Sequence, residues 1–557
     1  MTKKVIIVGG VAGGASTAAR LRRLEEDTEI IIFERDEYIS YANCGLPYFL
    51  SGVIKERNSL LVQTPKGMKK RFNIDVRVNS EVVKIYPAEK EVEVQEKNGR
   101  KYRESYDRLV LATGSAPVKP AFQGLEMALS FTVRTVSDVD RIKEYLDTQN
   151  PQTAVVIGGG FIGLEVAENL VARGLKTTVV EKDNQLMAPL DFEMAVFVHN
   201  HLRAHGVSLI LNDGVASFVS EGQQKEIILQ SGLKLAADIV ILALGVKPEA
   251  RLAQEAGLAI GKLGGIKVNE YLQTSDPDIL ALGDVIEVKN LVTGRDSLIP
   301  LAGPANKQGR IAADVLAGRK SSYKGTQGTA IAKIFDLAVA STGANEKTLN
   351  KLGIPCQVSF THSGSGADYY PGSAEMTIKL IFAPQSGKIL GAQIVGTKGV
   401  DKRIDDLAGA LGRGGSIFDL TELELAYAPP FSSAKDPVNM AGYVAANIVK
   451  GDVAVIQWHE LASLDPQNTL IIDVRTPAEY MHGHVPGAVN IPVDLLRERL
   501  SEVPRTKDII VYCLVGIRAY ASYRILWGHG FTRVRNLSGG WKTYSSAETE
   551  KALAEKD

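Results

Sequence analysis

At 557 residues the chain exceeds what one hydrophobic core supports, and domains of roughly 100–200 residues predict three or four units. Lysine plus arginine equals aspartate plus glutamate at 64 each, so no global field favours nucleic acid or an anionic membrane surface. Hydrophobic residues at 45% and charged residues at 23% are ordinary for a globular protein, and no apolar run reaches about 18 residues, so no transmembrane helix is expected.

The chain enters a strand pattern within a few residues of Met1, which leaves no room for a signal peptide. Its three cysteines, Cys44, Cys356 and Cys513, are odd in number and widely spaced. They suit free thiols in a reducing cytoplasm better than a disulfide framework.

Lys4 to Val8 is a continuous apolar run, read as a buried parallel strand. Gly9-Gly10-Val11-Ala12-Gly13-Gly14 follows, then a helical pattern to Leu24, then a strand over 30–33 that ends at Glu34. In such a unit the glycines allow a tight turn, the helix N-terminus faces a pyrophosphate and the acid holds a ribose hydroxyl. Val11 departs from the pattern, standing where G-x-G-x-x-G has its second glycine.

Ser40-Tyr41-Ala42-Asn43-Cys44-Gly45-Leu46-Pro47-Tyr48 comes next, so the Cys44 thiol lies near whatever the preceding unit binds. The plainer reading, a buried cysteine acting as a small hydrophobe, suits an apolar neighbourhood rather than this Ser/Asn-rich one.

A second copy is complete. A strand over 154–157 leads into Gly158-Gly159-Gly160-Phe161-Ile162-Gly163, a helix through Arg173 and the strand Lys176–Val180, which ends at Glu181. An acid there accepts the 2′-hydroxyl of NADH and repels the 2′-phosphate of NADPH, although Lys182 beside it softens that preference. Two dinucleotide units suggest a flavin and a nicotinamide. Residues 109–115 (Leu-Val-Leu-Ala-Thr-Gly-Ser) and 279–285 (Ile-Leu-Ala-Leu-Gly-Asp-Val) read as strands ending in small residues, and their order makes the second unit an insertion between halves of the first.

With these motifs the chain resembles the pyridine nucleotide-disulfide oxidoreductase family. The resemblance implies an α/β fold with two Rossmann-like domains, for FAD (1–118 and 249–324) and NAD(P)H (119–248), followed by an α+β dimerisation domain (325–447). It assigns cofactor binding to Gly9, Ala12, Gly13, Gly14, Glu34, Arg35, Val82, Ala112, Thr113 and Gly114, and to Gly158, Gly160, Gly163, Glu181 and Gly245. Asp284 would hydrogen-bond FAD, with Leu301 and Ala302 near the isoalloxazine. A homodimer is implied. In the dimerisation segment, residues 329–342 and 376–395 read as strands, and residues 402–411 and 438–449 as helices. Tyr369 and Tyr427 stand out there; interface packing explains either one alone, and the resemblance makes them proton donors in the partner's active site.

Residues 451–457 carry few signals, and a linker is placed at 448–451. Beyond it, a strand over 470–474 runs out into Asp473-Val474-Arg475, and Glu479 and Gly483-His484-Val485-Pro486-Gly487-Ala488 follow. A second apolar strand over 509–512 runs into Cys513-Leu514-Val515-Gly516-Ile517-Arg518 and a helix, and Gly539-Gly540-Trp541 comes later. This stretch resembles a rhodanese, an α/β sulfurtransferase module, placed at 452–557. A cysteine between a strand and a helix N-terminus meets a ring of backbone N–H groups that stabilises a thiolate or a persulfide, and Arg518 adds positive charge. His482 and His484 have no thiolate or carboxylate cluster at ligand spacing, and no metal site is expected.

Family reductases carry a Cys-x-x-x-x-Cys pair, but here Phe49 replaces the second cysteine, and the usual C-terminal His-Glu dyad is missing. A lone Cys44 must cycle through a mixed disulfide, a sulfenic acid or a persulfide. The stretch around Cys44 resembles coenzyme A-disulfide reductases, and the whole chain their fusions with rhodanese, some described as CoA-dependent persulfide or polysulfide reductases. The expected substrates are CoA disulfide, CoA persulfide and sulfane-sulfur donors, with coenzyme A held as a mixed disulfide on Cys44. CoA phosphates need cations. Arg20 and Arg23, one helical turn apart, are the main candidates, with Ser16, Arg71 and Lys435 beside them and Ser40 and Asn43 at the sulfur. Arginines on a helix face are otherwise solvated charge. Two other functions compete: an NADH oxidase or peroxidase using Cys44 sulfenic acid, and a sulfur-carrier or redox-sensing protein without turnover.

Overall fold

The computed structural model describes residues 3–125, 129–221 and 224–554, and the chain divides into two compact units, Met1–Lys182 with Gly206–Gly328 and Asp183–His205 with Thr329–Asp557.

The first unit holds two parallel sheets. In one, the strands run Ile279–Ala281, Arg108–Leu111, Lys4–Val8, Glu29–Phe33 and Asp75–Arg77. Val5, Ile6 and Ile7 are fully buried, as expected of a parallel strand covered on both faces. Ile279–Ala281 pairs with Arg108–Leu111, so chain from far downstream completes this sheet. In the other, Ser208–Ile210, Lys176–Val180, Thr153–Ile157, Ile239–Leu242 and Ser130–Phe131 lie in order. An antiparallel meander, Ser80–Tyr86, Glu91–Glu96 and Lys101–Ser105, is attached.

The second unit is built on a five-stranded antiparallel sheet in the order Ala330–Ile334, Leu337–Gly343, Ile389–Gly396, Glu375–Phe382 and Gln357–Gly364. The helix Phe192–Ala204 joins this unit. Lys379, fully buried, meets Asp191 at 2.9 Å and Glu193 and Glu346 at 2.5 Å each, so three carboxylates compensate one buried ammonium. Sequence reading left Gln357–Gly364 without a strand because its Ser, Thr and His residues break the apolar pattern. In the structure Ser359 and Thr361 are buried on one face of this strand, which packs against the helix Pro437–Val449, while the C-terminal module meets its edge and its other face: Gln457 donates to the Val358 carbonyl at 3.2 Å, and His362 Nε2 lies 3.1 Å from Thr543 Oγ1.

That module is a parallel sheet in the order Val455–Ile456, Val534–Leu537, Asp508–Tyr512, Thr469–Asp473 and Val489–Asn490. Val455–Ile456 is its edge strand, although those residues read as weakly patterned linker. Its last helix, Gly540–Ala554, packs on Phe192–Ala204. There His199 Nε2 accepts from the Leu186 N–H (3.0 Å), which leaves Nδ1 to donate to buried Glu550 (3.0 Å), and Arg203 donates to both oxygens of the same carboxylate. Among the described residues, no helix is long and apolar enough to cross a membrane.

Candidate functional site

Both Gly-rich turns of the first unit are built alike. Gly9 has φ +99° and Gly158 φ +107°, and a Cβ on either would fall on a carbonyl oxygen, of Ala112 and Ala243 respectively. Only glycine fits there, so the backbone of each turn stays bare for a ligand. Glu34 accepts from the Gly10 N–H (2.9 Å) and Glu181 from the Gly159 N–H (2.8 Å), placing one acid at the same point of each unit. Burial pushes the Glu34 carboxyl above its ordinary value. These residues fit two dinucleotides: two cradles that a Cβ would fill, each with an acid at the following strand end.

The Cys44 loop is tied to the first turn. Ser40, held at φ +43°, donates its N–H to the Gly10 carbonyl at 2.8 Å. A bridge pairs Tyr41 with Leu61, and a 3-10 turn, Asn43–Gly45, leads into the helix Leu46–Ser51. That short helix packs on Phe161–Ala172, the helix of the second Gly-rich turn. Asn43, turned so that its amide nitrogen faces the Tyr41 carbonyl, offers its oxygen to Arg134. Arg134 also donates to the Ser115 carbonyl (2.9 Å), and the Ser115 hydroxyl donates to Asp284 (3.0 Å). Arg134 therefore couples the cysteine loop to the Asp284 segment, and nothing near it in sequence pointed there.

Cys44 is exposed. Partial desolvation pushes its thiol above the ordinary value, and the Glu165 and Asp284 carboxylates add to the shift. Glu165 is itself pushed up to about 7, chiefly by burial and then by Glu168, while the Tyr48 hydroxyl opposes this. Glu165 stands two residues past Gly163, so it was placed by the fingerprint without being recognised.

Thr113 donates to the Glu249 carbonyl oxygen (2.9 Å), and Arg35 pairs with the Glu249 carboxylate (2.9 Å). The Ala112 N–H reaches the Val8 carbonyl, Gly114 accepts from the Glu249 N–H, and Gly245 accepts from the Val118 N–H. Leu301 caps the helix Ala302–Leu316. Val82 lies buried in the meander, opposite Val94. Of the expected phosphate ligands, Arg20 is paired with Asp314 (2.9 Å) and Ser16 donates to Asn306 (2.6 Å), while Arg23 and Arg71 are exposed.

In the second unit the hydroxyls of Tyr369 and Tyr427 lie 2.9 Å apart on exposed loops, and that contact pushes the Tyr369 phenol up. Buried Arg403 braces both loops: it donates to the Ser365 carbonyl (3.0 Å), to Ser432 Oγ (3.1 Å) and to Asp436 (2.9 Å). Lys435 is exposed beside Asp436.

Cys513 ends the strand Asp508–Tyr512 and is fully buried. The Gly516 N–H donates to its Sγ at 3.1 Å, and Gly516, at φ +108°, caps the helix Ile517–Gly528. Leu514 and Ile517 are exposed on the loop between. From further along the chain, the N–H groups of Trp541 and Lys542 donate to the Cys513 and Leu514 carbonyls. A Cβ on Gly540 would lie 2.5 Å from the Cys513 oxygen. Arg518 forms a bidentate pair with Glu479 (2.6 and 2.8 Å), which holds the Glu479 carboxyl at about 2. His482 and His484 are occupied by the Ala478 and Tyr480 carbonyls through Nδ1.

Against known proteins, residues 3–309 match the model of the pyridine nucleotide-disulphide oxidoreductases, residues 329–437 their dimerisation domain and residues 458–547 the rhodanese-like domain. The chain is similar to the crystal structure of reduced Bacillus anthracis CoADR-RHD, at 52% identity over 99% of both chains with a TM-score of 0.97. It is similar to a NAD-dependent persulfide reductase from A. fulgidus, at 38% identity over 97% of this chain and 99% of that one, with a TM-score of 0.91. It is 36% identical to a coenzyme A disulfide reductase of Staphylococcus haemolyticus, over 80% of this chain and 100% of the relative.

Proposed function

The chain belongs to the pyridine nucleotide-disulphide oxidoreductase family, and on that premise we propose that it reduces CoA disulfide, CoA persulfide or polysulfide with NAD(P)H through the single thiol of Cys44. The observation that carries this reading is the Cys44 loop, anchored on the first Gly-rich turn with Phe49 where a second thiol would be. Gly9, Gly14, Glu34, Thr113 and Asp284 would hold FAD, and Gly158, Gly163 and Glu181 the nicotinamide nucleotide. When bound, the flavin supplies the passage of two electrons from reduced nicotinamide to the disulfide at Cys44.

The chain's own part is as follows. The Cys44 thiolate attacks a sulfur of CoA disulfide; the S–S bond breaks, one CoA thiolate leaves, and Cys44 remains joined to the other CoA. With CoA persulfide the attack falls on the inner sulfur and hydrosulfide leaves. Since Glu165 and Asp284 favour the neutral thiol, the thiolate needs help that these carboxylates do not give. Asn43, steered by Arg134, and Ser40 position the sulfur chemistry. Tyr369 and Tyr427, contributed by a partner subunit, would protonate the departing sulfur, and Arg403 positions their loops. Arg23, Arg71 and Lys435 would meet CoA phosphates, with Arg20 exchanging Asp314 for one. Cys513, with Leu514 to Arg518 around it, would carry sulfane sulfur as a persulfide.

The test is anaerobic NADH consumption with CoA disulfide, CoA persulfide and polysulfide in parallel, on wild type, Cys44→Ser and Cys513→Ser. The expected result is that Cys44→Ser abolishes all reduction and Cys513→Ser slows only the sulfane-sulfur substrates. Wild type that ignores all three and reduces oxygen or peroxide would overturn the reading.

A further inference from the structure

At the end of the helix Phe192–Ala204, His201 and His205 stand four residues apart and so share one face. The turn between strands Ala330–Ile334 and Leu337–Gly343 brings Asp336 to the same point. His201 Nε2 lies 2.9 Å from Asp336 Oδ1 and His205 Nε2 lies 3.8 Å from it. The three ligand atoms all lie within 4.8 Å of one another. A tetrahedral cation with bonds of about 2.0–2.1 Å separates its ligands by about 3.3 Å, between the two measured distances.

The surroundings prepare these atoms for a cation. His205 Nδ1 lies 2.9 Å from the His201 carbonyl oxygen, which can only accept, so Nδ1 carries a proton and Nε2 is the ring nitrogen left to act as a ligand, on the side of Asp336. The ring is fixed from its other side by stacking on Phe335, with centroids 4.2 Å apart at 12°, and Phe335 holds φ +54° to do so. His201 lies in the last turn of the helix and His205 at its C-cap, where the backbone carbonyls favour a cation.

We propose that His201, His205 and Asp336 bind one divalent transition cation of the zinc class, with two imidazoles, one carboxylate and a fourth position open to water. From the sequence no metal is expected, since Asp336 is too far along the chain from His201 and His205 to join a local spacing pattern. The cation would fasten the first hairpin of the antiparallel sheet to the helix that also carries His199 and Arg203.

Equilibrium dialysis of chelator-treated full-length protein against Zn2+ tests this, comparing wild type with His205→Gln and Asp336→Asn. Wild type should bind one more equivalent per chain than either variant. Zn2+ should raise the melting temperature of wild type and of neither variant, and NADH turnover should be unchanged by both substitutions. Co2+ substitution separates the site from the thiols by its visible spectrum, which should lack thiolate charge transfer. Equal Zn2+ occupancy in wild type and variants, or a Co2+ spectrum dominated by thiolate charge transfer, would overturn the proposal.

Discussion

Cys44 is exposed, and partial desolvation, with the Glu165 and Asp284 carboxylates adding to it, pushes it toward the neutral thiol. Cys513 is sealed from solvent, has the Gly516 N–H on its sulfur, and sits by an arginine already fixed by Glu479. The difference teaches that the two thiols are built into unlike settings. The Cys513 loop places one of its own backbone N–H groups on the sulfur, the kind of contact that the proposed persulfide would need. The Cys44 loop carries little beyond position, and its bonds run to the Gly-rich turn and, through Arg134, to Asp284, the segments that would hold a nucleotide.

The contrast can be broken most sharply at Gly540. Gly540→Ala places a methyl group against the Cys513 and Leu514 carbonyls at φ +60°, a strain of about 1–3 kcal/mol. Sulfur transfer from thiosulfate to cyanide should fall by about tenfold or more, while CoA disulfide reduction stays within about twofold of wild type. A matching loss in both assays would mean that the two loops are not separately built.

A smaller, structural effect is expected at the clamp that holds the Cys513 module. Although burial alone would raise it, His199 and Arg203 hold the Glu550 carboxyl down at about 2. A carboxyl lowered on folding stabilises the fold above its ordinary value of 4.5, and that contribution is lost as pH falls toward about 2. Burial keeps His199 neutral by lowering its value from 6.5, which also costs stability on acidification, beginning below that pH. Glu550→Gln should therefore destabilise the second unit by about 3–5 kcal/mol at pH 7 and flatten its acid dependence, as read by denaturant unfolding across pH. An unchanged acid limb would remove the clamp from the account.

The smallest effect sharpens the Cys44 side. Glu165, pushed up to about 7, becomes a carboxylate above that pH, and its charge opposes ionisation of the neighbouring thiol. Glu165→Gln should make Cys44 alkylate about two- to threefold faster above pH 7, measured by mass spectrometry on the reduced full-length protein. Equal rates would show that the Glu165 charge does not reach this thiol, leaving desolvation and Asp284.

Much of this was legible in the sequence because it rests on local rules. The two Gly-rich turns, the acids at strand ends and the strand–loop–helix around Cys513 are each written within about 30 residues. Gly158 and Gly9 could be read because no other residue fits a left-handed turn pressed on a carbonyl. Arg134, Arg403 and Glu550 were not legible, since each acts on groups far away in sequence and looks like an ordinary surface charge until the chain is folded. The strand Gln357–Gly364 was hidden for a related reason: the helix Pro437–Val449 and the C-terminal module that pack on its two faces both come far later in the chain.

The strap over Cys513 also sets an order of events during synthesis. The N–H groups of Trp541 and Lys542 that fix its carbonyls emerge from the ribosome after the cysteine itself. A nascent chain halted between them would present Cys513 as an ordinary thiol without its finished cradle. If Cys513 carries sulfur as proposed, its loading is thereby postponed until the module has closed.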